Sequence, residues 1–420
     1  MSENFNKNTG GRPSIINFLL IAFALAALGF GIREFSLAKE PSRKPQISHE
    51  QTVLAEPEED VIIETPEEPF VDPYEDFSRY PDGDVTVMAL GDNLIHNSIY
   101  WSAEQEDGTY DFTSMYADIA PVVEQYDIAC INQETIFVND PNLYSNFPHF
   151  GSPTAVGDAL AQAGFDVVTH ANNHAYDKLM TGINDTINFW RENHPYVTAL
   201  GIHNDEETAY GLNIIERNGI RIALLNYTYA LTYLMPEQPY TVKLLNDRDA
   251  VGTEIVRAKE RADFVIVFVH WGDDGSYIPT EEQREWAQFF AAQGVGAVIG
   301  THSHLLQPVE GIPTSDGRVM PVFYSLGNFL SHQMKAENML GGMATMTLSR
   351  DALGVYVKEY ALTPTVNVIL RREEGWFDYR PMLLENYTDE LAAQHRLQGM
   401  DVASMWSLYH SVINNTPAES

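Results

Sequence analysis

This sequence of 420 residues has a single cysteine and few positively charged residues. Its one cysteine, Cys130, lies in an apolar run and can form no intrachain disulfide, which excludes a disulfide-stabilised scaffold. The chain has 25 Lys and Arg against 59 Asp and Glu, a formal net charge of −34. Because neutralising phosphates requires clustered cations, this balance excludes a nucleic-acid binder built on a basic surface. With 44% hydrophobic residues, the chain nevertheless has enough apolar side chains for a globular core.

An apolar stretch near the N-terminus, residues 15–32, is interrupted only by Asn17 and follows a short cationic segment. At 1.5 Å per residue it is just long enough to cross a hydrocarbon layer roughly 30 Å thick. The cationic flank predicts a cytoplasmic tail at residues 1–14, a single transmembrane anchor at residues 15–32, and an extracellular remainder. A cleaved signal peptide ending in the Ser-Leu-Ala of residues 36–38 is the alternative, and it would release a secreted form.

The next segment, residues 33–83, is acidic and rich in proline. Such a segment cannot bury enough apolar surface to offset its ordering entropy, so it is predicted to be a disordered linker. From residue 84 the pattern changes to short apolar runs that alternate with helical segments, which predicts one folded domain over residues 84–364. The remainder, residues 365–420, is predicted to be a mostly helical appendage with helices at 390–398 and 402–413.

Eight short apolar runs in the folded part are typical of strands that are covered on both faces. They are residues 85–90, 128–131, 167–169, 196–200, 220–225, 264–269, 297–299 and 322–325. Their alternation with helices predicts an α/β fold, and two late runs, 342–348 and 354–362, are candidates for a second sheet. Helix starts are predicted at Ser152-Pro153, as an N-cap before an N1 proline, and at the capping box Thr280-Glu-Glu-Gln283.

Ligand-type side chains follow these runs at the points where the strands end, which is where α/β folds place their sites. They include Asp92, Glu134, Asn173, His270, His302 and His304. Each has an ordinary alternative: an Asp after a strand is usually a turn residue, and His270 by itself is better explained as a core histidine. Five successive strand ends with such residues are hard to explain by chance. Together they predict an N/O site for a divalent first-row metal.

Seven segments resemble, in order, the CapA family of poly-γ-glutamate capsule synthesis proteins, whose domain is similar to the calcineurin-like metallophosphoesterases. The segments are GDNLIH (91–96), NQE (132–134), FGSP (150–153), AGFDVVTHANNH (163–174), HWG (270–272), GTHSH (300–304) and SLGNF (325–329). The resemblance covers about residues 85–346. It implies a metallophosphoesterase-like layered sandwich, with two mixed β-sheets flanked by helices, after the transmembrane helix and the linker.

The resemblance also implies a role for each site residue. The metal ligands would be Asp92, Glu134, Asn173, His270, His302 and His304, with Glu134 in place of a bridging aspartate. The catalytic residues would be His174, which protonates the leaving oxygen, and His96. Leu94 occupies the histidine position of the phosphoesterase Asp-x-His motif, so either His96 substitutes for it or that metal position is weakened. The cofactor would be one or two divalent ions (Mn, Zn or Fe), and one firmly held ion is the simpler expectation.

The function implied by the resemblance is that of a membrane-anchored extracellular metal-dependent hydrolase or transferase in the synthesis, export or surface attachment of poly-γ-glutamate. Its partners would be that anionic polymer or a cell-wall acceptor, the membrane, and membrane synthase subunits, with no nucleic acid. Two alternatives stay open: a non-catalytic accessory subunit of a capsule synthase, and a phosphate-ester hydrolase unrelated to capsule. Because an acidic domain repels a polyanion, bound cations or a patch containing Lys178, Arg191 or Arg284 would have to offset that repulsion.

Overall fold

The structure, a computed structural model, describes residues 83–372 and 376–414. The predicted cytoplasmic tail, the predicted membrane anchor and almost all of the predicted linker lie outside the described residues, so these assignments stay predictions. Within the described ranges, no helix has both the length and the apolar character needed to cross a membrane.

The described part of the chain forms sixteen strands and ten α-helices. The strands are β1 Val85–Asn93, β2 Ile128–Gln133, β3 Phe137–Val138, β4 Ser152–Pro153, β5 Val167–Thr169, β6 Thr198–Leu200, β7 Asn213–Arg217, β8 Ile220–Thr228, β9 Phe264–His270, β10 Ala297–Thr301, β11 Val309–Pro313, β12 Val319–Phe323, β13 Asn328–Leu330, β14 Leu340–Asp351, β15 Gly354–Arg371 and β16 Phe377–Leu383. The helices are α1 Asn97–Ala103, α2 Thr113–Tyr116, α3 Ala120–Val123, α4 Ala155–Gln162, α5 Leu179–Asn193, α6 Glu206–Tyr210, α7 Arg248–Arg261, α8 Glu281–Gln293, α9 Asp389–Gln394 and α10 Val402–Ile413. Each of the eight predicted strand runs coincides with or overlaps one of these strands.

Two mixed sheets dominate the fold. The first has the order β16-β15-β14-β1-β2-β5-β6, and β13 pairs with the end of β1. Its strands β1, β2, β5 and β6 are parallel, whereas β14, β15 and β16 are antiparallel to their neighbours. The second sheet has the order β11-β12-β10-β9-β8-β7, with a parallel centre and an antiparallel strand at each edge. The expectation of a mixed α/β fold with two mixed sheets is therefore confirmed.

The two sheets pack face to face, and helices cover the outer face of the second sheet. Successive side chains of a strand point to opposite faces. In β8, Ile222 and Leu224 belong to the core that both sheets share, whereas Ala223 and Leu225 pack in a second core with α7 and α8. Burial on both faces explains why the central strands are continuous apolar runs in the sequence.

The late strands and the C-terminal segment differ from expectation. Strands β14 and β15 do not make a second sheet; they extend the first, because β14 pairs antiparallel with the open side of β1. The expected boundary after residue 364 falls inside β15, and β16 joins the same sheet, so the appendage begins only after Leu383. Two predicted helices follow, of which α10 has the predicted bounds and α9 is shorter than predicted.

The two predicted helix starts have different outcomes. The capping box of Thr280 and Gln283 is present at the start of α8. Ser152-Pro153 does not cap a helix; it forms β4, and α4 begins at Ala155 with Thr154 as its N-cap residue. The physical reason is that the Ser152 hydroxyl donates a hydrogen bond to Thr135 Oγ1 (2.7 Å), so it does not cap the helix.

Candidate metal centre

The carboxyl ends of the two parallel strand sets meet, and this brings the six predicted ligands together. The first sheet contributes Asp92 from β1, Glu134 directly after β2, and Asn173 from the loop after β5; the second contributes His270 from β9, and His302 and His304 directly after β10. Asn173 is half-buried and the other five are buried. The contact between the sheets is direct, since the backbone N–H of His302 donates to Asp92 Oδ2 (3.3 Å) across 210 positions of sequence.

The acidic and imidazole ligands form two groups that share one carboxylate. One group is Glu134, His270 and His302, and the other is Asp92, Glu134 and His304. Within each group the potential ligand atoms lie within 4.8 Å of one another. Glu134 Oε1 is 3.7 Å from His270 Nε2 and 3.7 Å from His304 Nε2. The arrangement therefore offers one cation position in each group, with Glu134 able to bridge them.

Glu134 is the buried carboxylate of the site that has no hydrogen-bond donor among the described residues. Its side chain is fully buried, and neither carboxylate oxygen has a hydrogen-bond partner among the described residues. Burial raises the pKa of Glu134 well above its usual range. A buried carboxylate without donors is costly, and a cation is the partner that would satisfy it. The set of carboxylates and imidazoles fits Mn, Zn or Fe.

His270 and His302 are held so that both present a nitrogen to the same point. His270 Nδ1 lies 2.9 Å from Thr301 Oγ1, and its Nε2 lies 3.1 Å from His302 Nδ1 and 3.0 Å from Asn173 Oδ1. Burial lowers the pKa of His270 well below its usual range and that of His302 to about 3. Both rings are therefore neutral near pH 7, which is the form that binds metals.

His304 has the opposite electrostatic environment. Burial alone would lower the pKa of His304, but the carboxylates of Glu134 and Asp92 outweigh burial and raise it to about 10. His304 Nδ1 lies 3.4 Å from Asp92 Oδ2. The carboxylates thus favour positive charge at this position, whether it comes from an imidazolium or from a cation.

The turn that carries His302 and His304 is strained. Their backbone φ angles are 101° and 56°, in the left-handed region that non-glycine residues seldom adopt. Such backbone costs of order 1–3 kcal/mol per residue and is concentrated at functional sites. The strain is what allows both rings of this His-x-His turn to reach the ligand groups.

His174 and His96 both contact the ring of Phe150. The Phe150 ring meets His174 edge-on at 4.7 Å and His96 at 5.4 Å between centroids. His174 Nδ1 lies 2.7 Å from Asp177 Oδ2, so a carboxylate orients this ring. Neither histidine belongs to either of the two groups found within the described residues. Whether His96 replaces the ligand histidine whose position Leu94 occupies, or that metal position is weakened, stays a prediction.

Sequence reasoning gave no role to several residues that support the ligands. Asn132 Nδ2 donates to Asp92 Oδ1 (2.8 Å), and Tyr229 packs its half-exposed ring on His302 (4.6 Å between centroids). Asp177 was missed although its spacing gave a signal, because a carboxylate three residues after a histidine lies within reach of it in a turn. Asn132 lay within a recognised segment, but only the folded geometry shows its partner.

Two of the cations suggested by the sequence for a local patch, Lys178 and Arg191, lie well apart. Lys178 and Arg191 lie at opposite ends of α5, 13 residues apart, which is roughly 20 Å along a helix. Arg191 pairs with Glu192 (3.3 Å), and Arg284 pairs with Glu310 (3.1 Å). Each arginine thus shares its charge with a neighbouring carboxylate, and attraction of an anionic polymer to any of these cations stays a prediction.

Similarity to known proteins agrees with the segments found in the sequence. Residues 86–333 match the family described as bacterial capsule synthesis protein PGA_cap. Over 261 residues, the chain is 28% identical to the capsule biosynthesis protein CapA of Bacillus anthracis and 26% identical to the PGA biosynthesis protein CapA of Bacillus subtilis (strain 168). These alignments cover 59% and 60% of this chain, and 60% and 65% of the two relatives. The chain thus spans less than two thirds of the length of these relatives.

Solved structures with lower similarity include two from other bacterial proteins. A putative 5′-nucleotidase from Staphylococcus aureus has a TM-score of 0.39 at 13% identity, and covers 78% of this chain and 58% of that one. The calcineurin-like phosphoesterase YfkN from Bacillus subtilis has a TM-score of 0.38 at 11% identity, with 80% and 99% coverage.

Proposed function

The chain belongs to the bacterial capsule synthesis protein family PGA_cap, and we propose that it is a metal-dependent hydrolase or transferase acting in poly-γ-glutamate capsule biosynthesis. Its similarity to a PGA biosynthesis protein and to a capsule biosynthesis protein supports a role in this process. The observation that carries the chemistry is Glu134, a fully buried carboxylate without hydrogen-bond donors that stands between two imidazole nitrogens.

The ligand groups fit divalent cations. Glu134, His270 and His302, with the amide oxygen of Asn173, would hold one; Asp92, Glu134 and His304 would hold another. A divalent cation there would polarise a phosphoryl or acyl oxygen and lower the pKa of bound water.

His174 is the proton donor in this proposal. The Asp177 carboxylate accepts a hydrogen bond from Nδ1–H of His174 and orients the ring, which leaves Nε2–H to protonate the leaving group. His96 cannot share that task near pH 7, because burial lowers the pKa of His96 to about 3. His96 Nδ1 lies 3.1 Å from the Leu94 carbonyl oxygen and 3.2 Å from the backbone nitrogen of His332, so Nε2 is the nitrogen left to hydrogen-bond the substrate.

The location and the partners are part of the same proposal. The apolar residues 15–32 support a membrane anchor with the folded domain outside the cell, or a secreted form after cleavage. The partners would be poly-γ-glutamate or a cell-wall acceptor, together with membrane synthase subunits. Because the chain is acidic, and Lys178 and Arg191 lie at opposite ends of α5, we assign to cations at the site the role of offsetting the repulsion of a polyanion.

The test is metal content together with turnover. The purified full chain is analysed for Mn, Zn and Fe and assayed on phosphodiester and γ-glutamyl substrates, beside His302→Ala and the control His410→Ala on the exposed side of α10. We expect bound metal and γ-glutamyl turnover that only His302→Ala abolishes. Metal without any turnover would favour the accessory subunit, metal-dependent phosphate release alone would favour a phosphate-ester hydrolase, and a chain that binds no metal would refute the proposal.

A further inference from the structure

We propose that Asn328 is a positioning residue: it holds the proton of His304 on Nδ1 and thereby makes Nε2 the nitrogen that binds the cation. This inference rests on the proposed metal site and adds a residue that acts on it through His304. Its support is a closed set of hydrogen bonds among buried or half-buried side chains next to the site.

The two nitrogens of His304 have different surroundings. Nδ1 lies 3.1 Å from Asn328 Oδ1 and 3.4 Å from Asp92 Oδ2, whereas Nε2 faces Glu134 Oε1 at 3.7 Å. The side chain of Asn328 is fully buried. It stands beside Asp92 because β13 pairs with the end of β1, in a register that matches Asp92 with Asn328.

The orientation of the Asn328 amide is fixed by its other end. Asn328 Nδ2 donates to the backbone carbonyl of Asn338 (3.3 Å) and to Gln333 Oε1 (2.9 Å). A backbone carbonyl can only accept a hydrogen bond, so the NH2 group must face Asn338 and the oxygen must face His304. An amide oxygen is in turn only an acceptor, so His304 Nδ1 must carry a proton.

The same side chains also hold the backbone of His304. Asn338 Nδ2 donates to the His304 carbonyl (3.2 Å) and to Gln333 Oε1 (3.1 Å), which closes the set. These contacts brace a residue whose φ is 56°. Ring orientation and backbone strain at His304 are thus maintained by one group of three amide side chains: Asn328, Gln333 and Asn338.

A cation binds the imidazole nitrogen that carries no proton. On His304, Nδ1–H has two oxygen acceptors, whereas Nε2 faces a carboxylate that would itself bind the cation. The lone pair of Nε2 would therefore join Asp92 and Glu134 in the second ligand group. Partners of this kind, which orient a ligand histidine, typically change metal affinity by about 10–100-fold when removed.

The experiment measures zinc affinity of the full chain by competition with a chromophoric chelator. Asn328→Leu removes the acceptor, Asn328→Asp retains an oxygen in its place, and Asn367→Leu is the control, a buried asparagine on β15 whose Nδ2 donates to the Ser331 carbonyl. We expect Asn328→Leu to weaken zinc binding about 10–100-fold, Asn328→Asp to stay near the wild type, and Asn367→Leu to leave affinity unchanged.

A second readout is spectroscopic and does not depend on turnover. In the zinc-loaded chain with 15N-labelled histidine, His304 should show a protonated Nδ1 and a metal-shifted Nε2, in the wild type and in Asn328→Asp. Two results would overturn the inference: a zinc affinity of Asn328→Leu within threefold of the wild type, or a metal-shifted Nδ1 of His304. If Asn328→Leu does not fold, the spectrum of the wild type decides the question. Zinc binding without turnover would refute only the catalytic function, and a chain that binds no zinc would refute both.

Discussion

Replacing Glu134 with glutamine should stabilise the metal-free protein and abolish its response to metal. Glutamine has nearly the same shape and no charge. A buried polar group without a partner costs about 1–3 kcal/mol, and a charged one costs more. Since neither oxygen of Glu134 has a hydrogen-bond partner in the described part of the chain, we expect Glu134→Gln to raise the free energy of unfolding by about 1–3 kcal/mol near neutral pH.

The gain should depend on pH with a defined sign. Burial holds the pKa of Glu134 well above its ordinary value of 4.5, so the folded state binds a proton that the unfolded state has already released. The wild-type protein therefore loses stability as the pH rises above about 4.5. Below that pH both states are protonated, and the advantage of the glutamine variant should vanish.

With metal bound, the wild-type protein should become more stable than Glu134→Gln. A cation at 100 times its Kd stabilises the folded state by about 2.7 kcal/mol. At roughly 2 °C per kcal/mol for a domain of this size, the midpoint of thermal unfolding should rise by about 5 °C in the wild type. Glu134 belongs to both ligand groups, so the variant should show almost no shift.

The assay is thermal unfolding of the full chain after treatment with a chelator and again with added Mn2+ or Zn2+. The control is Glu385→Gln, which removes the same charge from an exposed position. The reasoning would be refuted by a Glu134→Gln variant that is less stable than wild type without metal. It would equally be refuted if metal raised the midpoint of this variant as much as that of the wild type.

Three further variants test other parts of the structure. Gly91→Ala should cost about 3 kcal/mol or more in denaturant unfolding, because its Cβ would lie 2.0 Å from the Gly327 carbonyl oxygen; a loss under 1 kcal/mol would contradict this. Asp177→Asn should lower kcat about 100-fold or more with unchanged metal content, because His174 loses its carboxylate; unchanged kcat would remove His174 from the mechanism. Burial lowers the pKa of His170 from 6.5 to about 3. Between these two pH values the folded state binds fewer protons than the unfolded state, so the protein loses stability as the pH falls. Between pH 6.5 and 5, wild type should lose about 2 kcal/mol more than His170→Gln in urea unfolding, and equal losses would contradict it.

The fold was predictable where the physical signal is local. Strands such as β9 are buried on both faces, so their sequences are continuous apolar runs. The capping box that begins at Thr280 is complete within four residues. Strand pairing is not local. The pairing of β14 with β1 joins residues some 250 positions apart, and the same apolar run could have belonged to either sheet. The alternative use of Ser152 likewise depends on Thr135, which is distant in sequence.

The ligands of the site were predictable for the same reason, and their supporting residues were not. Parallel strands end at one edge of a sheet, so polar residues after successive strands had to converge. Which nitrogen of His304 faces Glu134, however, depends on the hydrogen bond that the ring donates to Asn328 on β13. Asp177 is another example, because its meaning depends on the turn that brings it to His174. Sequence patterns predict which residues lie close together in the fold. The role of each histidine depends on the hydrogen bonds that orient its ring.

Three unfavourable features of this fold lie at the candidate site, and they bear on the choice between an enzyme and a passive subunit. The absence of a hydrogen-bond partner for Glu134 among the described residues and the positive φ angles of His302 and His304 all reduce stability, and a bound cation would offset the first of these costs. These features argue for cation binding but do not require catalysis. The pair of His174 and Asp177 lies outside both ligand groups, so holding a cation does not need it. A carboxylate-oriented histidine beside a cation site is the arrangement that proton transfer requires, and the kinetics of Asp177→Asn therefore discriminate between the two roles.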